Sequence, residues 1–270
     1  MDKIGEVKLS CLETMLGDLP LAEKFRMVRD AGFDGIDLRG DQLGPLVEQA
    51  RELSRQTGID VPTVYSRLRV PLVAAKAAER GQAMDTVRDR LWNAAAVGAR
   101  RLVIVPIFGE ARFELDWPGG VEQAELALLA IELKELAVEA ESCQVIILLE
   151  PLNRNETHLL RSPAAAAEFV RRISSPWIAT MADTYHMDLE GQDAVWEMEQ
   201  AGEQLRLVHI SDRDRRLPGE GGIDFAWLLA GLGAQGYTGY LGFECRGTFG
   251  LEDLRQSVRF VRALLKAADA

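Results

Sequence analysis

An α/β fold, a single-domain (β/α)8 TIM barrel over residues 1–270, is predicted by three features of the sequence. Short apolar or β-branched runs alternate with helical patterns from end to end, which demands a parallel sheet. There are eight of each, at a mean of about 34 residues per unit, which matches a closed barrel better than an open doubly wound sheet. No Pro/Ser/Gly-rich or charge-block segment divides the chain, so no linker is expected.

The units follow in order. VKLSCLE (7–13) leads to a helix over 20–32, where Leu21, Phe25, Val28 and Ala31 recur at helical spacing and Gly32 ends the pattern. GIDLR (35–39) leads to a helix over 42–58, again closed by a glycine, Gly58. DVPTVYS (60–66) precedes a helical region over roughly 74–99, in which Asp85 reads as an N-cap. RLVIVPIFG (101–109) precedes a long amphipathic helix over 121–143. VIILLEPLN (145–153) is followed by a helix that opens at Ser162-Pro163 and carries Ala166, Phe169 and Ile173 on one face. IATMADTYH (178–186) precedes a helix near 193–204, and RLVHISD (206–212) a helix over 224–236. YLGFECRG (240–247) and a helix over 251–267 close the chain. Between 213 and 224 lies the longest non-periodic stretch, RDRRLPGEGGID, and loops of that length are usually functional or disordered.

Composition narrows the function classes. With 47% hydrophobic and 27% charged residues the chain reads as soluble and globular, and no run approaches the ~18 apolar residues of a membrane span. No apolar signal region precedes the first strand, so the cytoplasm is the expected location. The 31 basic and 42 acidic residues leave a net charge of -11, which argues against nucleic acid as a partner. Cys11, Cys143 and Cys245 are odd in number and lack CxxC spacing, so neither a disulfide framework nor a structural zinc site is indicated.

Catalytic groups of such barrels leave the C-terminal ends of the strands. The fifth run ends on Glu150, the sixth on Asp183, the seventh on His209 and the eighth on Glu244. Crowded carboxylates repel one another unless a cation offsets their charge, so the set predicts one divalent metal ion. Three oxygen donors and one nitrogen suit Mn²⁺, Mg²⁺ or Co²⁺ at least as well as Zn²⁺. Around the set, Asn153 and Glu156 are placed to bond a substrate hydroxyl or a metal ligand, and His186 to face the same mouth. Arg215, in the glycine-rich loop, can hold oxygen-rich ligands in fork geometry. Arg213, Arg216 and Arg246 raise a phosphate or carboxylate on the substrate, against solvation or pairing with Asp212, Asp214 and Glu220. His158 reads as exposed and uninformative.

LLEPLNRNETHLL, MADTYHMDLEG, VHISDRDRRLPGEGGIDF and GFECRG, taken together, resemble the xylose isomerase-like barrel superfamily, within it the sugar isomerase and epimerase group that includes ketose 3-epimerases and hydroxypyruvate isomerases. The resemblance implies that Glu150, Asp183, His209 and Glu244 hold the metal, and that Glu156, His186 and Arg215 touch the substrate. It also implies that Glu150 and Glu244 form the acid/base pair on opposite faces of a small sugar or sugar phosphate, exchanging a proton at the carbon beside the carbonyl through an enediolate. Barrels of this group are often dimers or tetramers, so a homo-oligomer is expected by analogy. Asn155 stands where ketose epimerases usually carry an aromatic residue, and the first half of the chain matches no substrate-binding motif. Rival readings are a dehydratase of a keto-polyol, in which the enediolate expels a neighbouring hydroxyl, and a phosphoester hydrolase of the abasic-site endonuclease type. The latter needs several zinc ions and many histidines, and this chain has only His158, His186 and His209. A sugar-binding protein without catalysis would have lost Glu150 or Glu244, and both are present.

Overall fold

The computed structural model describes residues 7–111 and 120–268. Eight parallel strands close into a barrel in chain order: β1 (Lys8–Leu12), β2 (Gly35–Arg39), β3 (Thr63–Ser66), β4 (Arg101–Ile104), β5 (Ile146–Leu149), β6 (Ile178–Asp183), β7 (Leu205–Ile210) and β8 (Tyr240–Phe243). Closure is made by β1, whose Cys11 stands opposite Ile36 of β2 and Phe243 of β8. Around the sheet run α1 (Leu21–Ala31), α2 (Gly40–Leu43), α3 (Val47–Thr57), α4 (Ala77–Val97), α5 (Gly120–Cys143), α6 (Pro163–Ile173), α7 (Thr184–Glu190), α8 (Ala194–Ala201), α9 (Phe225–Ala234) and α10 (Leu251–Ala268).

The local signals act as their chemistry dictates. Ser162 accepts the Ala165 N–H at 3.2 Å, Pro163 opens α6, and Ala166, Phe169 and Ile173 are buried against the sheet. Gly32 and Gly58 end α1 and α3 in the left-handed conformation that a glycine takes without a Cβ clash. Of the boundaries that differ from the sequence expectation, two have a direct cause in the structure. Asp85 is not an N-cap: the buried face of α4 begins earlier, with Ala83 and Met84, so Asp85 sits inside the helix and pairs with Arg88 at 2.8 Å. The sixth strand stops at Asp183 rather than His186, because Asp183 caps α7 by accepting the Tyr185 N–H at 2.8 Å. Cys11, Cys143 and Cys245 are all free and buried.

The two faces of each strand separate the core into two parts. Even-spaced residues Val103, Leu148, Ala179, Met181, Leu207 and Tyr240 form a small cluster inside the barrel, while their neighbours pack under the helices in a larger one. Period two then dictates what reaches the C-terminal mouth. Glu150 follows Leu148, Asp183 follows Met181, His209 follows Leu207, and Glu244 follows Gly242, each by two residues. Among the described residues no helix is long and apolar enough to cross a membrane.

Candidate active site

Backbone pairing sets the four side chains at one level. Asp183 stands opposite His209, and His209 opposite Gly242. The N–H of Glu150 continues the β4–β5 ladder to Ile104, and that of Glu244 continues β7–β8 to Ile210, both at 3.1 Å. As a result, one ligand-type atom from each of Glu150, Asp183, His209 and Glu244 lies within 4.8 Å of the others. It is the one group of three or more such residues found among the described residues. Three oxygens and one imidazole nitrogen could hold one metal ion, and a cation would offset charge that burial makes costly.

The protein's own cations already face this cluster. His209 Nδ1 is 3.0 Å from Glu244 Oε2 and 3.7 Å from Glu150 Oε1. Arg215 donates to Asp183 Oδ2 at 2.7 Å and lies 3.1 Å from Glu244 Oε2, with its guanidinium stacked over the Tyr185 ring. Burial pushes the Glu244 carboxyl up, but Arg215 and His209 outweigh it and hold the group well below the usual carboxylate range. Burial, followed by the Glu244 charge, pushes Glu150 the other way, above its ordinary value. Burial opposes the charged ring of His209, yet Glu244 and Glu150 raise it well above an ordinary imidazole. The two glutamates therefore sit in opposed environments within one cluster.

All seven residues expected from the sequence share this mouth, though not all in the same way. His186, on the first turn of α7, is buried with Nε2 3.1 Å from Arg215 Nη2. Its Nδ1 accepts the Asn153 N–H at 3.2 Å. Asn153 is a buried hub that also donates to Glu156 Oε1 at 2.9 Å and accepts the Asn155 N–H at 3.0 Å. Glu156 itself is 41% exposed at the side chain, free to reach a ligand. The other arginines of the glycine-rich loop are engaged outward: Arg213 with Asp188 at 3.2 Å, and Arg216 with Asp214 at 4.0 Å. Asp212 holds the loop rather than an arginine, since its carboxylate accepts the N–H groups of Arg213, Gly219, Gly221 and Ile223. The His158 expectation is corrected, because its ring is wedged between the Gly109 carbonyl and the buried Glu125 of α5.

Two features escaped the sequence reading. One lies beneath His209. Asp37 of β2 is fully buried, with Oδ2 accepting from Ser10 at 2.6 Å, while Asp37 Oδ1, Thr63 Oγ1 and His209 Nε2 have no hydrogen-bond partner. A Cβ on Gly242 would lie 2.9 Å from His209 Cδ2 and 3.2 Å from Asp37 Oδ2, so glycine keeps this level open. The other is a cavity of about 640 Å³ over the ends of β2, β3 and β4, lined by Arg39, Tyr65, Arg67, Arg69, Pro106 and Phe108 among others. The signal was the same alternation: Arg39 follows Asp37, and Arg67 follows Tyr65, by two residues.

Known proteins share this architecture. A family model described as a xylose isomerase-like TIM barrel matches residues 25–264. Over 249 residues the chain is 27% identical to a 3-dehydro-D-guloside 4-epimerase of Escherichia coli K12, covering 91% of this chain and 94% of that relative. It is 26% identical over 197 residues to a D-psicose 3-epimerase of Enterocloster bolteae, covering 71% of this chain and 63% of that relative, a little under two thirds of its length. A crystal structure of D-psicose 3-epimerase with D-tagatose, from Clostridium cellulolyticum H10, superposes with a TM-score of 0.86 at 20% identity, covering 96% of this chain and 99% of that one.

Proposed function

This chain belongs to the xylose isomerase-like TIM-barrel family, and on that premise we propose that it is a divalent-metal-dependent sugar epimerase or isomerase moving a proton at the carbon beside a ketone. The observation that carries the reading is the convergence of Glu150, Asp183, His209 and Glu244 within 4.8 Å at four successive strand ends. Both named relatives support it by their chemistry. A 3-epimerase of a ketose and a 4-epimerase of a 3-dehydro sugar each invert a carbon adjacent to a carbonyl.

In this mechanism Glu150, Asp183, His209 and Glu244 hold the metal, which when bound withdraws electrons from the carbonyl and stabilises the developing oxyanion. One of Glu150 and Glu244 takes the carbon-bound proton, leaving a planar enediolate, and the other returns a proton to the opposite face. Arg215, His186 and Glu156 orient the substrate oxygens, with Asn153 fixing the last two relative to each other.

The test is to chelate the protein, add back Mn²⁺ or Co²⁺, and incubate with ketoses in D2O. Deuterium at the carbon beside the carbonyl, dependent on added metal, is the expected result. Absence of exchange across free and phosphorylated ketoses, with either metal, overturns the reading. An absorbing enone product in place of exchange assigns the barrel to dehydration instead.

A further inference from the structure

The arginine-lined cavity over β2–β4 carries no role in the proton transfer, yet it opens beside it. Tyr65 lies on its wall and is close enough to Glu244 to feel that charge. Its walls are of two kinds. Leu68, Pro71, Val105, Pro106 and Ile107 supply apolar lining with the Tyr65 and Phe108 rings, and Arg39, Arg67 and Arg69 supply three guanidinium groups. At about 640 Å³ it falls within the ~300–1,000 Å³ typical of small-molecule sites.

Among the described residues the acids beside these arginines do not balance them. Asp41 is the one acidic residue of the described lining, and it is held bidentately by Arg39 at 3.1 and 2.7 Å. Glu13, nearby, is taken by Lys24 at 3.0 Å and by the Arg39 N–H. Arg67 Cζ stands over the Phe108 ring, 4.9 Å from its centroid, and the side chain is exposed. Among the described residues neither Arg67 nor Arg69 forms an ion pair with an acid, although 42 acidic residues outnumber 31 basic ones in the chain. Two exposed guanidinium groups with no acid partner among the described residues can offer paired N–H donors to a carboxylate or phosphate.

Building on the proposed epimerase reading, we infer that the substrate is an acidic keto sugar, with its ketone at the β5–β8 cage and a carboxylate or phosphate at Arg67 and Arg69. The carbon skeleton lies across the apolar lining of the cavity between them. Arg213 and Arg216, for which the sequence favoured solvation or pairing over an anion site, are paired with Asp188 and Asp214.

Three ketoses that differ only at C6 test this: D-fructose with a hydroxymethyl group, D-fructuronate with a carboxylate, and D-fructose 6-phosphate. With the Mn²⁺-loaded protein in D2O, kcat/KM for deuterium exchange is expected to be at least tenfold higher for one of the two acids, and which acid identifies the anion. Arg67→Ala combined with Arg69→Ala should lower that advantage at least tenfold, through KM, while Arg213→Ala leaves it in place. Equal kcat/KM on all three sugars, or an advantage unmoved by the double variant, overturns the inference and leaves the epimerase reading standing. A separate measurement does not depend on turnover. Titration calorimetry of the chelated protein with inorganic phosphate and with D-gluconate should show binding that the double variant loses and the Arg213→Ala variant keeps. If exchange fails on every sugar but this binding is seen, the epimerase reading falls and the anion site stands; no binding of either anion overturns the site.

Discussion

The two arcs of the barrel mouth differ in charge, burial and sequence legibility. From β5 to β8 the strand ends carry three carboxylates and an imidazole, mostly buried and tied together by His209 and Arg215. From β2 to β4 they carry arginines and aromatic rings around an open cavity, with few cross-links. Tight, mutually fixed groups suit the movement of protons over short distances, where geometry errors of an ångström are expensive. A looser cationic wall suits recognition of the part of the substrate that does not react. The same architecture supplies both because every strand delivers one interior residue to the mouth, and only the residue type differs.

The comparison breaks first at the two glutamates. Glu150→Gln and Glu244→Gln should each reduce deuterium exchange by about 10³-fold or more even at saturating metal, as removal of a positioned acid or base does. Circular dichroism should show the fold intact, since neither side chain belongs to the apolar core. If either variant keeps exchange near the wild-type rate, that residue leaves the acid/base pair, and the chemistry is not confined to the β5–β8 arc as drawn.

A smaller effect is expected one level below. In Gly242→Ala the new methyl would meet the His209 ring, the Asp37 carboxylate and Ser10 Oγ, at 2.9, 3.2 and 3.3 Å. The ring has strand neighbours on both sides and little room to tilt. Disturbing the support of a ligand typically weakens metal binding ~10–100-fold, and overpacking of a closed interior costs about 1–3 kcal/mol. Mn²⁺ titration followed by the signal of the free ion, with a thermal melt alongside, checks both. Unchanged metal affinity would show that the His209 ring is not held from below.

The unequal legibility of the two arcs has a physical cause. An apolar run ending on Glu150 or Asp183 is conspicuous because a strand buried on both faces has no other reason to end on a carboxylate. Eight runs and eight helical patterns likewise sufficed for the barrel and its strand order. Arg39 and Arg67 leave strand ends too, but an arginine at a loop start is usually solvated, and only the folded structure brings the two to one cavity. The sequence places Asn153 to bond a substrate hydroxyl or a metal ligand, whereas its position as a hub between Glu156 and His186 depends on a residue 33 positions away. Asp85 misled for a related reason: a good capping residue caps only where the buried face begins, and α4 begins its buried face before it.

Asp37 ends the neat division between arcs, because it stands on the same strand as Arg39 yet lies beneath the metal cage. Burial lifts its carboxyl to about 6, against the Ser10 hydrogen bond and the charges of His209 and Arg101, which pull it down. The native state then binds more protons than the unfolded chain between pH 3.8 and about 6, so stability falls as pH rises through that window. Lifting the carboxyl from 3.8 to about 6 corresponds to roughly 3 kcal/mol. Asp37→Asn keeps an acceptor for Ser10 but cannot ionise. In metal-free protein the variant should match the wild type near pH 4 and exceed it by several degrees in Tm above pH 6. A gap that stays constant from pH 4 to 7 would mean that Asp37 is held in a charge-balanced setting. The floor of the cage would then be set by β5–β8 alone, and the two arcs would be as separate as their charges make them look.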